Sequence, residues 1–123
     1  MKHLKSYENI ENIRPTQNDY VIVDPNNTRS EPNVPNIKEL FHNFINNNIG
    51  QIHTSRLEND KDINSQKIFR VNYPDPPEKL KRFFLYDWSV KKYGIVVKES
   101  KIIEFSKNVE DIEVILQSKK YNL

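Results

Sequence analysis

The chain has 123 residues, the length of one domain, of which 36% are hydrophobic, 11% aromatic and 29% charged. Its 19 basic and 17 acidic residues leave a net charge of +2, which excludes the field of a general polyanion binder, so any nucleic-acid site must come from local clustering. There is no cysteine, which excludes disulfides, Cys-based zinc sites and a Cys nucleophile. Alanine is also absent, glycine occurs only at 50 and 94, and Asn, Lys and Ile are abundant. That is the composition of an AT-rich genome, and a viral or phage accessory protein is one expectation. The N-terminus MKHLKSYENIENI lacks the apolar core of a secretory signal, and no apolar run has the length of a membrane span. A cytoplasmic location is therefore expected.

Residues 1–18 read as a polar N-terminal segment, in which Leu4, Tyr7, Ile10 and Ile13 have the spacing of a short helix. Residues 19–123 read as one α+β domain. Tyr20-Val21-Ile22-Val23 is a strand, stopped by Asp24-Pro25-Asn26-Asn27, and a long loop follows to Asn36. Asn26-Asn27-Thr28 matches the glycosylation pattern by chance. Asn36, with Glu39 three residues on, reads as a helix cap. Ile37, Leu40, Phe41, Phe44 and Ile45 then make an amphipathic stripe, and Gly50 is placed to close the helix in the left-handed region.

Gln51–Leu57 and Lys67–Tyr73 read as strands joined by a polar loop, with Phe69, Val71 and Tyr73 on one face. Tyr73-Pro74-Asp75-Pro76-Pro77 breaks the chain. The next stretch, KLKRFFLYDW, reads as a short helix docking Leu80, Phe83 and Phe84. Gly94–Lys98 and Ile102–Phe105 suggest a hairpin about Glu99-Ser100. Asn108 opens a last helix with the stripe Val109, Ile112, Ile115 and Leu116, acids in its first turn and Lys119-Lys120 in its last. The expected fold is α+β: a curved antiparallel sheet of about five strands with two or three helices.

Three pieces resemble the small SH3-like barrels of KOW-type and related adaptor domains. They are Asn18-Asp19-Tyr20-Val21-Ile22-Val23, similar to a "G-D-x-V-x-V" first strand, then Ile49-Gly50-Gln51-Ile52, then Phe69-Arg70-Val71-Asn72-Tyr73. Lys98 to Phe105 could supply a closing strand. Asn18 stands where such barrels have Gly, and two helix-like segments interrupt the strands. The resemblance covers about half the chain and implies binding of protein or nucleic acid without catalysis; separately, no cofactor is expected.

The residues carry few chemical motifs. His3, His42 and His53 lack metal-ligand spacing and read as surface or rim histidines. Asp60, Asp62 and Asn64 begin like a calcium loop, but Ser65 and Val71 stand where Gly and Glu are needed. Two glycines cannot make a phosphate loop, and no serine has a nucleophile context.

Residues 78–101 are locally basic and interleave Tyr86, Trp88 and Tyr93 with cations. Part of this aromatic content is needed for the core, and Trp88 could plug a core edge with its indole N–H on a carbonyl. The expected function is a non-catalytic interaction module. Its anchors are Tyr86, Trp88 and Tyr93, with Arg82, Lys91 and Lys92 steering an acidic protein partner. One alternative is single-stranded nucleic-acid binding through the same patch, phosphates on the cations and bases on the rings. Another is a small metal-dependent nuclease using Asp87, Glu99, Glu104 and Lys101, which a hairpin would gather.

Overall fold

The computed structural model describes residues 14–59 and 61–121. The proposed helix through Leu4 and Ile13, along with His3 and Asp60, lies outside the described residues. The elements are β1 (Tyr20–Val23), α1 (Pro35–Asn46), β2 (Gly50–Leu57), β3 (Lys67–Tyr73), β4 (Leu85–Asp87), β5 (Lys92–Lys98), β6 (Ile102–Ser106) and α2 (Val109–Tyr121). Short 3-10 helices, Glu78–Phe83 and Glu99–Lys101, precede β4 and β6. All strand pairs are antiparallel and form one sheet in the order β4-β5-β3-β2-β1-β6, open at both edges. The α+β class is as expected, with six strands instead of about five.

Strand β1 is apolar at every position because both faces of the sheet are covered there. Val21 and Val23 point to the main core, while Ile22 meets Ile112 and Leu116 of α2 on the other side. The main core is built from Ile52, Phe69, Val71, Tyr73, Ile95 and Val97 of the sheet, Phe41 and Ile45 of α1, Leu80 of the 3-10 helix and Phe84 at its end.

Several local expectations are corrected. Pro35 opens α1 and Val34 is its N-cap, without a side-chain cap, so Asn36 lies inside the helix. Gly50 belongs to β2 and has no left-handed backbone. It is needed for close approach, because a Cβ there would sit 2.3 Å from Val71 Cγ1 and 2.9 Å from Tyr73 Cζ. The left-handed residue of this region is Asn18 (φ 74°), whose N–H donates to the Ile52 carbonyl at 2.8 Å.

Residues 78–83 form a 3-10 turn, confined between Pro77 and β4. Residues 94–98 and 102–105 do not pair with each other. Strand β5 has β3 on one side and β4 on the other, so both its edges are filled, and β6 pairs with β1 instead. The last helix is as expected: Ile112 and Leu116 are buried, and the Ser106 hydroxyl donates to Asp111 while accepting the Asn108 N–H.

Candidate partner-binding surface

Strands β4 and β5 form a hairpin with Tyr86 opposite Tyr93 and Asp87 opposite Lys92. Its turn is set by Asp87, whose Oδ1 accepts the Ser89 N–H at 2.9 Å and the Ser89 hydroxyl at 2.6 Å. These bonds, the Ser89 hydroxyl foremost, hold the Asp87 carboxyl below its ordinary range. Lys91 completes the turn with φ 55°.

Tyr86 and Tyr93 share a face by their register, and Trp88, in the turn just past β4, brings its ring onto Tyr86. The Tyr86 and Tyr93 rings lie 4.8 Å apart, and the Trp88 ring meets Tyr86 edge-to-face, also at 4.8 Å. Tyr93 is in turn paired with Tyr73 of β3. An aromatic row thus runs from buried Tyr73 through half-buried Tyr93 and Tyr86 to Trp88, which is 81% exposed. Trp88 does not plug the core edge. β4 is the sheet's edge strand, and Trp88 lies in the turn just beyond its end.

The cations fall in three places. Arg82 lies on the 3-10 helix, its guanidinium 4.8 Å from the Phe83 ring centroid. Lys91 stands at the hairpin turn. Lys92 is paired with Asp87 and so belongs to the opposite face from Tyr86 and Tyr93. The structure therefore brings Tyr86, Trp88 and Tyr93 together, puts Arg82 in a cleft beside Tyr93 and Lys91 at the hairpin turn, and sets Lys92 behind them.

Residues outside the expected set complete the surface. Lys81 sits 5.4 Å from the Tyr93 ring centroid. Its ammonium also lies 3.3 Å from Asp75 Oδ1 and 3.3 Å from Glu78 Oε1, and these carboxylates raise its pKa. A cleft of about 610 Å³ opens beside Tyr93, lined by Ile37, Glu78, Lys79, Lys81, Arg82 and Tyr93. Reading the segment as a three-per-turn helix would have found this. In a 3-10 helix residues i and i+3 eclipse, so Lys79 with Arg82 and Glu78 with Lys81 form pairs.

The four residues of the nuclease alternative have separate surroundings. Asp87 is tied to Ser89 and lies 3.6 Å from His53 Nε2. Glu99 takes a two-pronged bond from Arg14 at 2.8 and 2.6 Å, Lys101 lies 3.8 Å from Asp24, and Glu104 is buried opposite Ile22. The hairpin meant to gather them does not form. Among the described residues no group of three or more His, Cys, Asp or Glu is placed to hold a metal. His42 Nε2 donates to Glu31 at the rim of α1. Among the described residues no helix is long and apolar enough to cross a membrane.

Comparison with protein-family models, with curated proteins and with solved structures gives no match.

Proposed function

We propose that the protein is a non-catalytic interaction module that docks a protein partner on the Trp88 end of the β4–β5 hairpin. The observation that carries this is the 81% exposure of the only tryptophan, held edge-on by Tyr86. An indole in water is costly, and one fixed in place loses little further freedom on binding. Aromatic anchors beside Arg are the residues that dominate binding energy at protein interfaces. Val90, 38% exposed, is a further apolar group at the hairpin turn.

Single-stranded nucleic acid is the rival occupant, favoured by the same rings and by Arg82 and Lys91 beside them. The edge-to-face angle of 86° between Tyr86 and Trp88 speaks against a flat stack of bases and for an irregular protein surface. The SH3-like reading fits this role. In its favour, the three quoted pieces fall on β1, β2 and β3, which are consecutive in the sheet, whereas the Lys98–Phe105 piece supplies β6 as an edge strand and does not close the sheet.

The test is capture from a nuclease-treated extract with wild-type and Trp88→Ala baits, then reconstitution of the recovered protein with the purified chain. Binding that survives nuclease, persists at moderate salt and is lost in Trp88→Ala is the expected result. Oligonucleotide binding that fades steeply with salt and flattens in Arg82→Ala with Lys91→Ala would put the rival in its place.

A further inference from the structure

The cleft beside Tyr93 has a chemistry that the aromatic row alone does not explain. Lys79, Lys81 and Arg82 line it against one carboxylate, Glu78. Lys81 is the most confined of the three, with its side chain 27% exposed and its ammonium against the Tyr93 ring. It already carries two carboxylates, Asp75 and Glu78, whose side chains are 74% and 88% exposed. Lys79 and Arg82 have no carboxylate within salt-bridge distance among the described residues. The chain's own acids thus mark the position that a carboxylate takes at this ammonium, and both can swing into water when another arrives.

We propose that this cleft is the subsite for acidic side chains of the partner, so that the module recognises a short acidic peptide segment bearing one aromatic or aliphatic anchor. This rests on the docking role assigned to Trp88. The anchor packs on Trp88 and Tyr86 while the flanking carboxylates reach Lys79, Lys81 and Arg82 across Tyr93. Asp75 and Glu78 act as internal competitors that set the affinity, while Lys79, Lys81 and Arg82 turn away basic segments.

The experiment measures anisotropy of labelled synthetic peptides binding to the full chain: one Phe flanked by Asp and Glu, the same Phe flanked by Lys, and the same Phe flanked by Ser, with a mixed single-stranded oligonucleotide alongside. The acidic peptide is expected to bind best and to lose about tenfold in affinity in Lys79→Glu with Arg82→Glu. That variant should in turn prefer the Lys-flanked peptide, an exchange that an unfolded protein cannot show. Asp75→Asn with Glu78→Gln should tighten the acidic peptide several-fold.

If the acidic and Ser-flanked peptides bind equally and both need Trp88, the docking role stands and the acidic subsite is wrong. If the oligonucleotide alone binds, both fall. An acidic peptide that responds to neither pair of substitutions, or fails to bind at all, overturns the subsite.

Discussion

Tyr73 shows how single atoms limit this fold. Its ring is buried between Phe44, Phe84 and the bare Cα of Gly50, and its hydroxyl has no hydrogen-bond partner among the described residues. Burial pushes its pKa well up. A buried hydroxyl without a partner costs about 1–3 kcal/mol, while its ring is worth keeping. Tyr73→Phe is therefore expected to stabilise the protein by about 1 kcal/mol in denaturant unfolding. A loss of similar size would mean that the hydroxyl is bonded.

Lys91 makes the complementary case at the surface, because a side chain at φ 55° costs roughly 1–2 kcal/mol that glycine avoids, against the 0.5–1 kcal/mol entropy penalty of glycine itself. Lys91→Gly is expected to gain about 0.5 kcal/mol or more in stability, read from the urea midpoint. A loss would show that the hairpin tip is not left-handed in solution.

Elements here are held by carboxylates as well as by apolar packing. The loop from Asp24 to Val34 is tied to α1 through Glu31, which accepts from His42 and from the Asn27 N–H. The His42 bond, with Asn27 and Lys38 behind it, keeps the Glu31 carboxyl below its ordinary range, and the Arg14 fork does the same for Glu99. Asp24 is also lowered: burial opposes this, but its bonds from Asn26 and the nearby Lys101 prevail. A depressed folded pKa means that the unfolded chain binds more protons, so this stability is complete above the ordinary carboxylate pKa of about 4 and is lost as pH falls through the lower folded values. Melting temperature should hold from neutrality to about pH 5 and then drop. Glu31→Gln should be less stable than wild type at neutral pH, and the gap should close in acid. A gap that persists at low pH would place the effect in packing and not in charge.

Element type followed directly from side-chain periodicity where a face is buried, as in α1, β2, β3 and α2. It failed where pairing is decided by distant strands. Nothing local in Gly94–Phe105 says that both edges of β5 are already filled, so the adjacent strands read as a hairpin. KLKRFFLYDW failed differently, since its α-like spacing of Leu80, Phe83 and Phe84 fits equally well on a 3-10 turn that ends in a strand. The rings of the candidate site were legible from composition, and so was the local excess of cations. Their sorting into one face, a cleft and a rear face was not, because it depends on the register of Tyr86 with Tyr93.

Across the whole molecule, the aromatic content divides between two tasks. Phe41, Phe69, Tyr73 and Phe84 complete a core of Val, Ile and Leu side chains, and a row of rings continues outward from Tyr73 to Trp88. The central claim is that this last ring stands in water amid positive charge. One measurement addresses both parts: collisional quenching of the single tryptophan at low ionic strength by iodide, caesium and neutral acrylamide. Efficient acrylamide quenching is expected, with iodide stronger than caesium because the cations about the hairpin concentrate anions, and with the difference fading as salt screens them. A blue-shifted emission that none of the three quenches would put Trp88 in the core and contradict the account.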